Sequence, residues 1–384
     1  MKISFKVDDV LPMMSQAASV VNPKSPIPVL TSLVIKTRKK TGNATVTASD
    51  SNTWIDMLMP LVGEEKGDDF AFTVNSKDFV AALKNLSGKT VTLELNEESH
   101  IAKVTYDNGY FNIPYDSAND FPRPVPSTGN SVECLVDAGV LYDAISSVVF
   151  AAASNLVTMP YLNGIHIDVR NDMLVAIASD FNHVVLFKDH SVRSDTDTGD
   201  GINIPNKPAR IVESITKNTE GVVKLSFCDN TFSVSCMYYR VISLLNEGNY
   251  PDFNRILPKE SPINVTLTRE DLLSALKRIQ PMSNTASELV VFNFTEGNLN
   301  ISVEDVDFSK SAGEDIKCDY TGDGFRIGLK YSYMVSLLSN LSGDNVTMKM
   351  SLPQKPVVIV PDSQGETREV ISIVMPMKLN GDVQ

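Results

Sequence analysis

The chain repeats one pattern three times: an apolar strand, a helix and then further strands. The copies begin at three strand-like segments, residues 1–5, 132–136 and 263–267. Asp50 follows an Ala-Ser pair and recurs as Asp180 after another Ala-Ser pair, and Lys77 recurs as Lys207 at the same spacing, with a looser match at Lys330. The repeat is far longer than the roughly 20–50 residues of a solenoid unit, so we expect three whole domains.

The length of the chain agrees with this reading. A chain of 384 residues holds about three domains of about 100–150 residues each, and each of these is large enough to bury its own core. We place the domains at 1–128, 129–256 and 257–384. Each copy reads as a pair of β-α-β-β-β units, which predicts an α+β fold with the helices on one side of each sheet.

The first copy shows this doublet most clearly. The patterns predict two helices, Asp8 to Val21 and Ser76 to Leu86, and eight strands at 2–7, 30–37, 44–49, 53–60, 70–74, 90–95, 101–106 and 109–114. In the second helix, the apolar positions form a core stripe, and the opposite face is exposed. The stripe is Phe79, Val80, Leu83 and Leu86, and the opposite face carries Lys77, Ala81 and Lys84.

Two local patterns in the other copies lead to specific expectations. Residues 164–169 alternate apolar and polar side chains, which predicts a strand with His166 on its polar face. The sequence from Thr268 to Asp271 is close to a capping box and predicts the start of a helix.

Composition limits the class of protein. The 42% hydrophobic and 21% charged fractions are typical of a soluble globular chain, and no apolar run approaches the roughly 20 residues of a membrane helix. The N-terminal residues alternate like a strand and do not resemble a signal peptide, so we expect a cytoplasmic protein with no membrane partner. The four cysteines, Cys134, Cys228, Cys236 and Cys318, are scattered through strand-like runs, which favours reduced, buried thiols over disulfides or a metal site.

Motifs for catalysis are not found in the sequence. It contains no P-loop, no nucleophile elbow and no paired-histidine metal motif, and the glycines near Gly324 have the wrong spacing for a dinucleotide site. The histidines His100, His166, His183 and His190 lack metal-ligand spacing. We therefore expect a binding protein with no enzymatic activity, no cofactor and no metal.

Five short motifs, in order along the repeat, resemble one known family. They are Pro26-Ile27-Pro28-Val29-Leu30, Asp120-Phe121-Pro122, Tyr161-Leu162-Asn163-Gly164, residues 250–258 (Tyr-Pro-Asp-Phe-Asn-Arg-Ile-Leu-Pro), and residues 374–379 (Val-Met-Pro-Met-Lys-Leu). Together they resemble the bacterial DNA polymerase III beta subunit, the sliding clamp, over essentially the whole chain. The resemblance implies a head-to-tail homodimer whose six clamp domains close into a ring around duplex DNA, with helices lining the hole. It also implies partners: the polymerase catalytic subunit, the clamp loader and other proteins with short clamp-binding motifs.

The net charge of −13 argues against DNA binding unless the charges are segregated. At physiological salt the Debye length is about 8 Å, so cations on an inner wall still act on nearby phosphates while acidic residues elsewhere are screened. The cations that can form such a wall cluster on the predicted helices; they are Lys77, Lys84, Lys207, Arg210, Lys217, Arg269, Lys277, Arg278 and Lys330. Solvated charge that serves only solubility is the other reading. By resemblance, Lys24 is a loop residue that reaches DNA.

The resemblance also implies an apolar groove between the second and third domains that receives short linear motifs. The matching positions are Leu162, Ser179, Val184, Pro251, Arg255, Ile256, Tyr333, Ile373, Met375, Pro376, Met377 and Leu379. Alternatively, the segment from Met375 to Met377 ends the last strand and packs on the core. Residues 181–183 (Phe-Asn-His) depart from the Gly-His-Arg of many family members, and residues 380–384 extend past the usual end and could partly cover the groove.

For the dimer, the resemblance places the strand around Phe111 and Ile113 against the partner's third-domain residues Ile279, Pro281 and Met282. Such edge contacts would also remove exposed strand edges. Two other classes stay open: a non-catalytic three-domain scaffold that does not encircle DNA, and an enzyme whose site forms between subunits.

Overall fold

A computed structural model of the chain describes residues 1–63, 68–124, 131–170, 173–192, 198–199, 201–228, 230–258 and 260–379. The chain divides into two compact units, Met1–Tyr142 with Lys207–Leu245 and Asp143–Asn206 with Asn246–Gln384. The predicted domain boundary at residues 128 and 129 and the C-terminal residues 380–384 lie outside the described residues.

The first copy of the repeat contains the predicted doublet. Its elements are β1 (Lys2–Lys6), α1 (Val7–Val20), β2 (Ser32–Arg38), β3 (Asn43–Ser49), β4 (Thr53–Pro60), β5 (Ala71–Asn75), α2 (Ser76–Lys84), β6 (Thr90–Asn96), β7 (Ile101–Tyr106) and β8 (Gly109–Ser117). Helix α2 begins after Asn75, whose side chain accepts a hydrogen bond from the Asp78 backbone N–H at 3.2 Å. Its predicted core stripe is buried and its lysine face is exposed.

The second copy repeats the same order of elements. They are β9 (Val132–Asp137), α3 (Ala138–Val148), β10 (Gly164–Arg170), β11 (Met173–Ser179), β12 (His183–Asp189), β13 (Ile202–Pro205), α4 (Asn206–Thr216), β14 (Val222–Cys228), β15 (Thr231–Ser235) and β16 (Tyr239–Leu244).

The third copy of the repeat also has the same order of elements. Its elements are β17 (Ile263–Thr268), α5 (Arg269–Ile279), β18 (Leu289–Thr295), β19 (Asn298–Asp305), β20 (Lys310–Lys317), β21 (Phe325–Lys330), α6 (Tyr331–Asn340), β22 (Asn345–Met350), β23 (Val357–Pro361) and β24 (Arg368–Val374). The six β-α-β-β-β units confirm the predicted α+β fold.

The strands of each unit pair antiparallel. The first unit has one twelve-stranded sheet in the order β1, β6, β7, β8, β5, β2, β3, β4, β16, β15, β14 and β9. The second unit has an eight-stranded sheet, in the order β13, β10, β11, β12, β24, β23, β22 and β17, and a four-stranded sheet, in the order β20, β19, β18 and β21. Neighbouring copies of the repeat are therefore joined through strand pairs, β4 with β16 and β12 with β24.

The internal repeat extends to individual hydrogen bonds. In the turn between β3 and β4, the Asp50 carboxylate accepts from the backbone N–H groups of Asn52 and Thr53, at 3.1 and 2.8 Å. In the turn between β11 and β12, Asp180 accepts from the N–H groups two and three residues later, both at 3.0 Å. Each aspartate thus closes the same turn, which explains why the residue recurs in the sequence.

Three local expectations are only partly confirmed. His166 lies on the polar face of β10, since it lines the same cavity as Asp168 and Arg170, but it is buried: its Nδ1 donates to Asn203 Oδ1 at 2.8 Å and the Tyr250 ring stacks on it at 4.8 Å. Helix α5 begins at Arg269 as predicted, but the Thr268 side chain makes no cap, and the Arg269 N–H donates to the Asp344 carbonyl at 2.8 Å. The cysteines are free, but only Cys134 is buried, and the other three are half-buried.

Among the described residues, no helix is long and apolar enough to cross a membrane.

Candidate partner-binding surfaces

The floor of the predicted groove is an apolar patch on the eight-stranded sheet. Val184 on β12 lies directly opposite Ile373 on β24 in the strand register. Both belong to one buried cluster, whose other members are Val175, Ile177, Leu186 and Val358. Tyr250, Phe253 and Leu257 pack against this cluster. Two of the predicted groove residues are therefore brought together by strand pairing alone.

The other predicted groove positions differ in accessibility. Leu162, Ser179 and Leu379 are buried, and Tyr333, Pro376 and Met377 are half-buried. The exposed positions, which can contact a partner directly, are Pro251, Arg255, Ile256 and Met375. The Ser179 hydroxyl is used inside its own turn, where it donates to the His183 carbonyl at 3.0 Å.

The segment after β24 combines both roles considered for it. The Met375 N–H donates to the Asn182 carbonyl and the Met377 N–H to the Gly328 carbonyl, both at 2.8 Å. Leu379 is buried against Gly328, where an added Cβ would lie 2.8 Å from the leucine side chain. Met375, by contrast, is 38% exposed. The end of the segment packs as core while its beginning stays accessible.

A polar cluster lies beside Asn182 and Met375. Burial would raise the pKa of Asp180, but hydrogen bonds and charge from His183, with a further hydrogen bond from Tyr333, outweigh it and lower the pKa to about 2. The His183 ring stacks on the Tyr333 ring at 4.5 Å, and the Lys330 ammonium lies 4.8 Å from the Tyr333 ring centroid. Burial and Asp180 raise the pKa of Tyr333 to about 12, so its hydroxyl stays protonated at neutral pH. Tyr333 is thereby fixed in position at the groove.

A cavity of about 540 Å³, which the sequence did not indicate, adjoins the predicted groove at Pro251. Its walls include the buried His166 and Asp168 and the half-buried Tyr250. Its charged groups are largely paired: Arg170 contacts Asp168 at 2.7 Å, and Lys188 contacts Glu369 at 2.8 Å. Within the described part of the chain, no cluster of three or more His, Cys, Asp or Glu side chains is arranged to hold a metal.

The predicted DNA-contact cations fall into two groups. Four of them are engaged within the protein. Lys207 pairs with Asp50 at 2.5 Å, Arg278 forms a two-pronged contact with Glu314, and Lys330 lies 3.4 Å from Glu288. The Arg269 guanidinium donates to the Leu338 and Gly343 carbonyls at 2.8 and 2.9 Å. These side chains have structural roles that their sequence positions did not indicate.

The second group is exposed. Its members are Lys24, Lys77, Lys84, Arg210, Lys217 and Lys277. Lys77 and Lys84 lie on α2, Lys277 lies in the last turn of α5, and Lys217 directly follows α4. Over the described residues, Lys77, Lys84, Lys217 and Lys277 form no ion pair, so these four are available to an external anion.

The residues predicted for the dimer contact also differ in accessibility. Ile279 is part of the core beneath α5, and Ile113 is buried. Phe111 is half-buried, and Pro281 and Met282 are exposed. The second half of β8 pairs with β5, whereas residues 109–114 pair with β7 alone among the described strands. In the four-stranded sheet, β20 is an edge strand that pairs with β19.

Comparison with known proteins places the whole chain in one family. Three family models match in order: the N-terminal domain of the DNA polymerase III beta subunit at residues 1–125, its central domain at 136–252 and its C-terminal domain at 254–378. The Chlamydia muridarum beta sliding clamp is 24% identical over 374 residues, which cover 96% of this chain and 97% of that protein. A Staphylococcus aureus beta sliding clamp is 22% identical over 388 residues, which cover 97% of this chain and 98% of that protein.

Solved structures agree on the fold. The Bartonella birtlesii DnaN sliding clamp bound to griselimycin superposes with a TM-score of 0.88 at 22% identity, over 99% of this chain and all of that one. The DNA polymerase III beta subunit of Thermotoga maritima gives a TM-score of 0.88 at 20% identity, over 98% of this chain and 99% of that one. From the three family models together, the chain belongs to the DNA polymerase III beta subunit family.

Proposed function

We propose that this chain is a DNA sliding clamp, a non-catalytic processivity factor that encircles duplex DNA and tethers the replicative polymerase. The observation that carries the proposal is the match of all three family domains, in order, to a chain whose fold is the corresponding six-fold β-α-β-β-β repeat. In this role the protein acts in the cytoplasm, and each copy of the repeat, at 1–128, 129–256 and 257–384, serves as one clamp domain.

The exposed lysines support weak, sequence-independent binding to the DNA backbone. Lys77, Lys84, Lys217 and Lys277 carry charges that are not neutralised by ion pairs among the described residues. Contacts with phosphates hold DNA without reading its sequence, which permits movement along the duplex. We propose that these four, together with Lys24 and Arg210, contact the backbone. The engaged cations Lys207, Arg269, Arg278 and Lys330 contribute mainly by holding the protein together.

The apolar patch around Val184 and Ile373 supports a binding site for short linear motifs. Exposed Ile256 and Met375 lie in chain segments that reach this patch, and flexible methionine side chains suit a site that receives several different ligands. The partners we propose are the polymerase catalytic subunit, the clamp loader and other proteins that carry such motifs. Burial of two or three apolar side chains, at roughly 1.5–3 kcal/mol each before ordering costs, is compatible with micromolar affinity.

Open strand edges support assembly as a head-to-tail homodimer. The first half of β8 and the outer side of β20 each present backbone groups that no described strand covers. Pairing β8 of one protomer with β20 of its partner would satisfy both edges and would bring Phe111 near the partner's third domain. Pro281 and Met282 would add exposed apolar surface to this contact.

The tethering role can be tested by primer extension on a long single-stranded circle. With polymerase and clamp loader, the unaltered chain should lengthen the products made in one binding event. The double variant Ile256→Ala and Met375→Ala should lose most of this gain because it removes exposed apolar side chains of the groove. Products of equal length with and without the chain would contradict the proposal.

A further inference from the structure

One backbone conformation occurs in both copies of the aspartate-closed turn. Ser51 has φ 78° and Phe181 has φ 77°. In each turn a serine two residues earlier accepts a hydrogen bond from this residue: Ser49 Oγ from the Ser51 N–H at 2.9 Å, and Ser179 Oγ from the Phe181 N–H at 3.1 Å. The two turns are therefore the same structure with a different side chain at its left-handed position.

A phenylalanine is a costly choice at that position. A positive φ brings Cβ close to the backbone carbonyl, and bulky side chains adopt it rarely. Burial of the ring does not offset this strain, because Phe181 is 51% exposed. The first copy forms the same turn with a small serine. Folding of the turn thus does not require the aromatic ring, and strained residues of this kind cluster at functional sites.

The turn that carries Phe181 borders the candidate groove. The Asn182 carbonyl, one residue later, accepts the Met375 N–H at 2.8 Å. Val184, two residues further on, lies opposite Ile373 on the groove floor. Phe181 is thereby held on a turn with a fixed hydrogen-bond pattern at the end of the groove where Met375 is exposed.

We propose that Phe181 is a specificity-determining residue of the groove, whose ring contacts the leucine or aromatic side chain of the bound motif. This inference rests on the proposed peptide-binding function. Aromatic side chains in grooves are frequent energetic centres of binding, and a ring gains most from an apolar or aromatic partner. A rigid turn also presents the ring with little loss of freedom on binding.

The first copy of the repeat supplies the test variant. Phe181→Ser places the residue of the equivalent turn at this position, and Phe181→Gly removes the strain altogether. Calorimetry would use a peptide with a glutamine followed by leucines and a terminal phenylalanine. We expect about tenfold weaker binding for both variants, with thermal midpoints equal to or above that of the unaltered chain. Phe181→Tyr should retain the affinity because it keeps the ring.

Two controls separate this role from other effects. Phe308→Ala removes a ring that is 71% exposed in the turn between β19 and β20, and it should leave peptide affinity unchanged. Replacing the terminal phenylalanine of the peptide with alanine should remove most of the difference between the unaltered chain and Phe181→Ser, because the two rings contact each other.

Each outcome decides a different claim. If the unaltered chain binds the peptide and Phe181→Ser binds it equally well, the role of Phe181 is overturned while the groove stands. If the unaltered chain does not bind the peptide at all, the proposed groove fails and this inference fails with it.

Discussion

The Lys207 ammonium lies 2.5 Å from the Asp50 carboxylate and 2.6 Å from the Val20 carbonyl, so its donors are directed into the protein. This contact joins the start of α4 to the end of α1 and to the β3–β4 turn. Although Lys207 is exposed, a cation held in this way contributes less to phosphate binding than an exposed lysine that forms no ion pair on the same kind of helix.

Two sets of lysine variants should therefore behave differently. Lys77→Ala combined with Lys84→Ala should weaken DNA binding and should lower the slope of log affinity against log salt by up to about 1.8, at about 0.9 per phosphate contact. Lys207→Ala should change this slope little and should instead lower the free energy of unfolding by about 1 kcal/mol. The measurements are fluorescence anisotropy over a salt series and urea denaturation. An equal loss of slope in the double variant and in Lys207→Ala would contradict the claim that Lys207 contributes less to phosphate binding.

Acid should weaken the turn that carries Phe181. The pKa of Asp180 falls from 3.8 to about 2 on folding, so the folded state binds this proton less tightly than the unfolded state. Asp180 therefore contributes stability at pH values above about 4, and this contribution is lost as the pH falls toward 2; its full size is on the order of 2 kcal/mol. Asp180→Asn keeps the turn geometry but cannot ionise. Urea denaturation at pH 7 and pH 3 should show a smaller pH dependence in this variant than in the unaltered chain, and an equal dependence would refute the assignment.

Substitutions at two positions in the segment after β24 should affect the stability of the protein and its peptide affinity separately. Leu379→Ala removes a side chain that is 6% exposed and packed at Gly328, and it should lower the free energy of unfolding by about 2–3 kcal/mol. Met375→Ala removes an accessible side chain and should lower peptide affinity with little effect on stability. Thermal unfolding and calorimetry on both variants test this pair. Deletion of residues 380–384 alone should leave peptide binding intact or strengthen it, and a loss of binding would mean that the tail is part of the site.

Assembly should depend on exposed and half-buried apolar residues rather than on fully buried ones. Met282→Glu and Phe111→Glu place a charge at the proposed interface and should produce folded monomers in sedimentation velocity. Ile113→Glu buries the charge inside the protomer and should unfold it, so it cannot serve as an interface variant. Leu135→Glu, at an exposed position on β9, is the matched control and should leave the dimer intact. A monomeric unaltered chain at micromolar concentration would contradict the proposed assembly.

The fold was predictable because the repeat and the two hydrophobic periodicities are local signals. The stripe of α2 and the alternation along β6 to β8 need only neighbouring residues, and the structure confirms them. The ion pairs of Lys207 with Asp50 and of Arg278 with Glu314 join residues that are far apart in the chain. A periodic pattern in the sequence does not show such contacts. The burial of His166 was not predicted for the same reason, because the Tyr250 ring that stacks on it comes from a distant loop.

For the candidate groove, the strand register shows contacts that could not be predicted from the sequence. Val184 and Ile373 were named from motifs, but their direct pairing across β12 and β24 is a long-range contact. Phe181 was visible only as a departure from a motif. Aligning the first turn with the second would have pointed to it, because Ser51 and Phe181 then occupy one position.

The most direct test of the central claim is retention on DNA of two topologies. The chain is loaded onto nicked circular duplex with a clamp loader and ATP, the loader is removed, and half of the sample is linearised with a restriction enzyme before gel filtration. A protein that encircles DNA without sequence-specific contacts should stay on the circular molecules and slide off the ends of the linear ones. Equal retention on circular and linear DNA would contradict encirclement and would indicate an ordinary basic-patch binder.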